Sequence, residues 1–295
     1  MKSKVGIVVV TYNRLTLLKE VIDSLREQEY KDFDIIVVNN GSTDGTSEWL
    51  SEQTDLQVIN QVNTGGAGGF FAGMKYVAEG GYEYCWIMDD DVVCHADALS
   101  ELVAAYHRKP NIGFVCSKVV GMDNRPMNIP LVDARSTSKG NVDFVDLIEY
   151  QMIRVSMATF VSVFLSTATI KNVGLPYKEY FIWGDDSEYT HRISDVYDCY
   201  MACKSVVVHK RAIQSGLSFE TETDPNRIKM FFYYLRNNCH NRVLWGESTT
   251  FKQYMKLMKM LLRYICKFDI TRCSVILKVM RSLVLFHPSI QFPSK

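Results

Sequence analysis

The chain has 295 residues, of which 47% are hydrophobic and 22% are charged. This length fits one large domain or two small ones, and the composition excludes a disordered, collagen-like or coiled-coil chain. The formal net charge is zero, but residues 251–295 hold nine basic residues and one acidic residue. Residues 1–250 therefore have a net charge of −8, which argues against nucleic-acid binding by this part of the chain.

The first third of the chain alternates two kinds of apolar pattern. Continuous β-branched runs predict strands that are buried on both faces, and apolar residues at helical spacing predict helices between them. The repeated β-α-β order predicts an α/β fold with a mixed, mostly parallel sheet, where ligands bind beyond the carboxyl ends of the strands. The predicted strands cover residues 5–10, 33–38, 56–60, 84–88 and 112–117, and the predicted helices lie near residues 17–25, 44–50, 70–78 and 96–106.

The second half has a weaker pattern. Residues 119–154 are rich in loop-forming residues and predict long, substrate-facing loops. Further strands are predicted at residues 158–165 and 205–208, and helices at residues 225–244, 251–267 and 272–286. We therefore expect a main domain over residues 1–245, which divides near residue 118, followed by a helical tail over residues 246–295.

The tail is a basic amphipathic segment. Its apolar residues recur at helical spacing, and its lysines and arginines line another side of the same helix. Such a helix can lie on an anionic membrane surface, or it can pack on the body with a solvated basic face. The apolar residues are Phe251, Tyr254, Met255, Met258, Leu261, Leu262 and Ile265, and the basic ones are Lys252, Lys256, Lys259, Arg263 and Lys267.

The sharpest motif is the triplet Asp89-Asp90-Asp91, which follows a predicted buried strand. Three adjacent carboxylates repel one another and lose solvation on burial. A divalent cation resolves that cost, and Mg²⁺ or Mn²⁺ prefers oxygen ligands. Because residues i and i+2 of an extended segment point the same way, Asp89 and Asp91 are predicted to flank one metal, with an exposed acidic turn as the alternative.

Three other polar clusters follow predicted strands. Thr11, Asn13 and Arg14 come after the first strand and could contact a base or ribose, although they also fit a plain turn. Asn39 and Asn40 follow the second strand, where either nucleotide contacts or an ordinary Asx turn can form. The segment 63–70 has four glycines in five positions. These glycines permit close approach of a ligand to the backbone, and they also fit an ordinary flexible loop.

Two features lie later in the chain. Trp183 precedes Asp185 and Asp186, so an aromatic ring could stack on a sugar while a carboxylate acts as general base. The alternative is an acidic first turn that the helix dipole stabilises. His209 ends an apolar strand; by itself a lone histidine is more often structural than a metal ligand.

The eight cysteines contain no CxxC pair. This excludes zinc-finger and thioredoxin-like sites and favours reduced thiols in a reducing compartment. Met1 leads almost directly into a predicted strand, so no signal peptide is expected. The apolar, uncharged run of residues 155–170 is shorter than a membrane-spanning helix needs, so no such helix is expected.

The order of these motifs resembles the family 2 glycosyltransferases with the GT-A fold, over about residues 4–245. The resemblance implies inverting transfer from a nucleotide sugar, with Mn²⁺ or Mg²⁺ on the diphosphate held by Asp89 and Asp91. His209 matches the late metal-ligand histidine of the family. Asp186 matches its general base, with Asp185 beside it on the acceptor and Trp183 in the same matching segment. The resemblance implies a nucleotide-sugar half at residues 1–118 and an acceptor half at residues 119–245. The matching segments are 9–14, 39–46, 63–70, 88–91 and 183–188. The residues expected along the donor are Thr11, Asn13, Arg14, Asn39, Asn40, Gly65, Gly66, Asp89 and Asp90.

Within the family, the glycine-rich, triple-aspartate and Trp-x-Asp-Asp segments look most like those of bacterial galactofuranosyltransferases. This implies transfer of galactofuranose from its UDP donor to a glycan or lipid-linked saccharide of a bacterial surface polysaccharide such as O-antigen or capsule. The implied location is the bacterial cytoplasm, peripheral to the inner face of the membrane.

Three alternatives remain at this point. Rhamnosyltransferases share much of the pattern, and Asn39-Asn40 stands where many family members carry an aspartate for uracil, so dTDP-rhamnose is the second donor. A catalytically silent nucleotide-binding scaffold of a polysaccharide assembly complex is a non-enzymatic alternative. A sugar nucleotidyltransferase would need a glycine-rich basic loop after the first strand, where this chain has Thr-Tyr-Asn-Arg.

Overall fold

The computed structural model describes residues 4–135, 147–211 and 218–294. The chain divides into two compact units. The larger comprises Met1–Lys178, Asp186–Gln214 and Ile290–Lys295, and the smaller comprises Glu179–Asp185 and Ser215–Ser289. This division differs from the expected boundary at residue 245 in two ways. The helix at 225–244 groups with the two tail helices. The last residues, Ile290–Lys295, group with the larger unit, in which Leu175 N donates to Gln291 O over 2.8 Å.

A ten-stranded mixed sheet is the centre of the larger unit. Strands β1–β4, β6 and β10 run in one direction, and β9 lies antiparallel between β4 and β6. The order is β3-β2-β1-β4-β9-β6-β10-β8-β7, with the short β5 antiparallel to β10. The strands are β1 Val5–Thr11, β2 Phe33–Asn39, β3 Leu56–Asn60, β4 Tyr84–Asp89, β5 Val92–Cys94, β6 Ile112–Val120, β7 Leu131–Val132, β8 Met152–Met157, β9 Val163–Ser166 and β10 Asp198–His209.

Helices cover both faces of this sheet and build the smaller unit. Those of the larger unit are α1 Leu15–Arg26, α2 Thr46–Ser51, α3 Gly65–Glu79, α4 Ala98–Tyr106, α5 Thr167–Val173 and α6 Asp185–Ser194, whose first residue belongs to the smaller unit. The smaller unit contains α7 Pro225–Leu244, α8 Thr250–Ile265 and α9 Ile270–Leu285. A 3-10 turn spans Lys178–Tyr180.

The alternation of side chains along β1 explains its continuous apolar sequence. Ile7 and Val9 pack in one core cluster with α1 and α4, whereas Val8 and Val10 pack in a second cluster with α3. Both faces of the central strand are therefore buried, as the sequence predicts for a mostly parallel sheet covered by helices. The expected α/β fold is confirmed.

Three local expectations need correction. The glycine-rich segment is not a loop before a helix, because α3 already begins at Gly65. The strand expected at residues 158–165 is shorter in the structure, where β9 covers Val163–Ser166. The strand expected at residues 205–208 is the C-terminal part of the 12-residue β10. The three-residue β5 had no detectable pattern of its own, because its pairing with β10 alone defines it. Part of the expected loop region, residues 136–146, lies outside the described residues.

Helix α8 carries two different apolar faces. Leu257, Leu261 and Tyr264 are buried in the core of the smaller unit. A second stripe remains exposed, so this helix both packs on its own unit and presents apolar surface. The exposed stripe consists of Phe251, Tyr254, Met255, Leu262 and Ile265. Over the described ranges, no helix is both long enough and apolar enough to span a membrane.

Candidate active site

The pairing of β5 with β10 brings distant residues together at the carboxyl end of β4. Asp89 is the last residue of β4, and His209 is the last residue of β10. The antiparallel register aligns His209 with Val92, and Lys210 N donates to Asp91 O over 2.8 Å. The polypeptide thus places a histidine beside two aspartates that precede it by more than a hundred residues.

Asp89, Asp91 and His209 form a cluster with the ligand types of a metal site. One ligand atom from each residue lies within 4.8 Å of the other two. Asp91 Oδ1 lies 3.2 Å from His209 Nε2, yet this buried oxygen accepts no hydrogen bond within the described part of the chain. A buried carboxylate oxygen without a hydrogen-bond donor is costly unless a cation contacts it. The donor set therefore fits a divalent cation such as Mg²⁺ or Mn²⁺.

Asn128 orients the imidazole of His209. The Asn128 Oδ1 atom lies 2.9 Å from His209 Nδ1. An amide oxygen only accepts, so Nδ1 donates to it, and Nε2 is the ring nitrogen that faces Asp91. This is the usual arrangement behind a metal-binding histidine. Asn128 was not singled out from the sequence, since its only signal was its position in the polar region 119–154.

Asp90 links the end of β4 to the loop after β1. Its Oδ2 atom accepts hydrogen bonds from Thr11 Oγ1 at 2.8 Å and Tyr12 N at 3.4 Å. Arg14 Nη1 lies 3.2 Å from Asp90 Oδ1 and 2.7 Å from Asp91 Oδ2. The middle aspartate thus fixes the position of the Thr11–Arg14 segment and shares the Arg14 guanidinium with Asp91.

Burial and mutual repulsion set the charge of the triplet. Burial raises the pKa of Asp89 to about 7, and the charges of Asp91 and Asp90 add to this effect. Burial also raises the pKa of Asp90 to about 6, although the charge of Arg14 opposes it. For Asp91, burial acts upward on the pKa, but the contact with His209 and the charge of Arg14 outweigh it and lower the pKa. A bound cation would displace the proton that Asp89 holds near neutral pH.

The loops after β1 and β2 hold each other in place. Asn13, which has a left-handed φ of 54°, accepts a hydrogen bond from Thr43 N at 2.7 Å, and Asn13 N donates to Ser42 Oγ at 3.0 Å. Asp44 Oδ2 accepts from Leu15 N at 3.1 Å. The residues expected along a nucleotide are therefore parts of one cross-linked pair of loops.

Asn39 and Asn40 are buried, and both amides are engaged within the protein. Asn39 Nδ2 donates to Ser47 Oγ at 2.8 Å and to Asn60 Oδ1 at 2.9 Å. Asn40 Nδ2 donates to Gly65 O at 2.9 Å, and its Oδ1 accepts from Thr64 N at 3.1 Å. The geometry gives both side chains a structural task, which is to fix the ends of β2 and β3 and the start of α3.

The glycines of α3 serve helix–sheet packing more than ligand approach. A Cβ atom at Gly69 would lie 2.3 Å from Val10 Cγ1, and one at Gly73 would lie 2.2 Å from Val8 Cγ1. Gly66 is different, because a Cβ there would meet nothing within 4 Å. Gly65 has a left-handed φ of 75°, which a side chain would disfavour. The glycine-rich sequence is thus explained mainly by the close approach of α3 to β1.

The carboxylate expected to act as base lies at the start of α6. Asp186 belongs to the larger unit, and its Oδ1 accepts hydrogen bonds from Ser187 N at 2.6 Å and Ser187 Oγ at 3.2 Å. Trp183 and Asp185 belong to the smaller unit. The Trp183 ring packs at 5.6 Å from the ring of Phe231, and Asp185 is buried.

Comparison with known proteins identifies the enzyme class. Residues 6–142 match the family model described as glycosyl transferase family 2. The chain carries a family 2 glycosyltransferase domain. This match, together with the relatives described below, confirms the expected family and enzyme class.

The relatives of this glycosyltransferase include a galactofuranosyltransferase. The chain is 27% identical to galactofuranosyltransferase GlfT1 of Mycolicibacterium smegmatis over 222 residues, which are 72% of this chain and 67% of that protein. Its structure is similar to that of S. aureus TarS, with a TM-score of 0.57, 16% identity, and coverage of 82% of this chain and 40% of TarS. It is also similar to TarS 1–349 in complex with UDP-GlcNAc, with a TM-score of 0.56, 17% identity and coverage of 82% and 67%. At these identities the structural likeness establishes the fold alone.

Proposed function

We propose that this glycosyltransferase moves a sugar from a UDP-sugar, with inversion at the anomeric carbon, to a saccharide acceptor of a bacterial surface polysaccharide. The observation that carries the proposal is the Asp89–Asp91–His209 cluster at the carboxyl end of β4. The similarity to a galactofuranosyltransferase supports UDP-galactofuranose as the donor. The UDP-GlcNAc complex of the similar TarS fold supports a uridine nucleotide.

The proposed chemistry assigns the proton transfer to Asp186. The acceptor hydroxyl gives its proton to the Asp186 carboxylate as its oxygen attacks the anomeric carbon. Attack from the face opposite the diphosphate inverts the anomeric centre and needs no covalent enzyme intermediate. Trp183 offers an aromatic face against which an acceptor sugar can stack, and Asp185 is proposed to hold an acceptor hydroxyl.

The leaving diphosphate develops negative charge during the transfer. A divalent cation at Asp89, Asp91 and His209, when bound, supplies electrostatic stabilisation of that charge. Arg14 reaches Asp90 and Asp91 and keeps a positive charge at the same strand end. The Asn128 contact at Nδ1 orients the ring of His209 and leaves Nε2 as the nitrogen available for coordination.

Thermal stability with Mn²⁺ and a nucleotide panel tests the donor proposal. A ligand that binds only the native state raises Tm by mass action. We expect UDP to raise Tm when Mn²⁺ is present, and dTDP, GDP and ADP to raise it less. A larger shift with dTDP would move the donor to dTDP-rhamnose. No shift with any nucleotide would overturn the donor proposal.

Two variants make this experiment specific. Asp91→Ala should abolish the Mn²⁺-dependent shift, because it removes the carboxylate whose buried oxygen lacks a donor. Asp97→Ala is the matched control, because Asp97 is an exposed carboxylate only six positions further along the chain.

For catalysis, Asp186→Asn should retain the nucleotide-dependent shift and lose sugar transfer. Near-wild-type transfer by Asp186→Asn would remove this residue as the base.

We also propose that α8 attaches the protein to an anionic membrane surface at the cytoplasmic face. The exposed apolar stripe of this helix lies beside its basic stripe, which is the pattern of a helix that lies in a membrane interface. Phe268, in the turn after α8, is 90% exposed, and Ile270, the first residue of α9, is 82% exposed. Flotation with phosphatidylglycerol vesicles tests this: the double substitution Leu262→Gln and Phe268→Ser should reduce binding, whereas Lys204→Gln, in an exposed part of β10, should not. Equal flotation of both variants would contradict the assignment.

A further inference from the structure

An open groove of about 820 Å³ lies between α7 and α9 in the smaller unit. Its walls are apolar and include Met230, Phe232 and Tyr233 from α7, and Leu285 and Phe286 at the end of α9. This volume is in the range of sites that hold small molecules. None of the residues assigned to sugar transfer lines the groove, and none of the exposed stripe of α8 does.

The groove carries uncompensated positive charge. Lys229, Lys278 and Arg281 belong to its lining, and the lining contains no acidic residue. None of their nitrogens has an ion-pair partner within 4.0 Å among the residues that the structure describes. The hydroxyls of Thr271 and Ser274 add hydrogen-bond donors to the same lining, whereas the Ser282 hydroxyl donates to Val279 O at 2.7 Å.

We infer that the groove binds a single-chain lipid phosphate. The apolar walls take the hydrocarbon chain, because burying each methylene is favourable in water. The two lysines and the arginine take the phosphate, since a guanidinium binds phosphate oxygens in pairs and lysine supplies further charge. A concave groove of this size receives one chain, whereas a bilayer surface would contact a convex apolar face such as the stripe of α8.

This binding site is independent of the donor that the enzyme uses. Where the saccharide acceptor is carried on a lipid phosphate, the groove would retain the carrier. That extension rests on the proposed function, but the binding of the lipid phosphate does not. A failure of sugar transfer and a failure of lipid-phosphate binding are therefore measured separately.

Calorimetric titration with alkyl phosphates below their micelle concentrations tests the inference. Decyl phosphate should bind about 15-fold more tightly than octyl phosphate, because each of the two additional methylenes contributes about 0.8 kcal/mol when buried. Inorganic phosphate and decyl maltoside are the controls, and each should bind at least tenfold more weakly than decyl phosphate. Binding of inorganic phosphate as tight as that of decyl phosphate, or no dependence on chain length, would overturn the inference.

Variants assign the binding to this groove. Ser274→Trp should fill the groove and lower the affinity for decyl phosphate at least tenfold, and Arg281→Gln should lower it about tenfold. Lys204→Gln is the matched control, because it removes an exposed positive charge from β10, outside both the groove and α8, and should leave the affinity unchanged. Circular dichroism establishes that each variant is folded. If the control loses as much affinity as Arg281→Gln, or if only phosphatidylglycerol vesicles bind, the ligand is held by surface charge and the inference is wrong.

Discussion

Asn237→Ala should destabilise the smaller unit more than any other single amide removal from α7. Asn237 is fully buried, and its Nδ2 lies 3.0, 3.1 and 2.7 Å from the carbonyl oxygens of Tyr180, Ile182 and Trp183. Its Oδ1 accepts from Arg236 Nε at 2.9 Å. One side chain thus satisfies much of the backbone that leads into the Trp-Gly-Asp-Asp segment.

The magnitude follows from these contacts. The segment contains three left-handed residues, Phe181, Trp183 and Gly184, with φ values of 65°, 63° and 90°. Such backbone persists only where its surroundings hold it. Each lost hydrogen bond contributes about 1 kcal/mol, and buried carbonyls left without a donor add to the loss. We therefore expect a loss of about 3 kcal/mol in the free energy of unfolding, which lowers Tm by roughly 6–12 °C in a protein of this size.

Urea denaturation followed by circular dichroism measures this loss. Asn238→Ala is the matched control, because Asn238 is the exposed neighbour on the same helix; its stability should stay within about 0.5 kcal/mol of wild type. Asn237→Asp keeps the shape but cannot donate, so it should be at least as unstable as the alanine variant. Transfer should also fall, because Trp183 and Asp185 lose their fixed backbone. An Asn237→Ala variant as stable as Asn238→Ala would refute this reasoning.

Three further predictions concern the larger unit. Gly73→Ala should cost about 1–3 kcal/mol of stability by urea denaturation, because its Cβ would overlap a β1 side chain, whereas Gly66→Ala should not destabilise. Asn128→Gly should weaken Mn²⁺ binding about 10–100-fold by calorimetry, and Asn124→Gly, at another left-handed asparagine of that loop, should not. Because burial raises the pKa of Asp89 from its ordinary value near 4 to about 7, the folded state holds a proton that the unfolded state has released, and the stability of the metal-free protein falls as the pH rises from about 4 to about 7. Asp89→Asn should therefore have a higher Tm than wild type at pH 8.

Each of these predictions has a contrary outcome. Equal stability of the Gly73 and Gly66 variants would mean that α3 can move away from β1. Unchanged Mn²⁺ affinity in Asn128→Gly would show that the imidazole needs no partner at Nδ1. A metal-free wild type whose Tm matches that of Asp89→Asn at both pH 6 and pH 8 would show that the carboxylate is solvated well enough to ionise without cost.

The sequence was sufficient for the parts of the site that lie at strand ends. Asp89 and Asp91 follow a buried strand, so their position at the carboxyl edge of a parallel sheet could be inferred from local pattern alone. The glycine-rich segment misled for a physical reason. Glycine signals permissive backbone in general, and the sequence cannot tell approach to a ligand from approach to a neighbouring strand, which is what Gly69 and Gly73 permit.

The amino-acid pattern by itself determined the alternation of strands and helices, the burial of both sheet faces and the family, because these depend on periodicity and on ordered local motifs. Tertiary structure alone decided which side chains meet. Strand β5 pairs with β10 and thereby sets His209 beside Asp91, a loop from elsewhere supplies Asn128, and α7 supplies Asn237. Those contacts join residues that are far apart in sequence, where no local spacing records them, and they exist only after the sheet and the helices have packed.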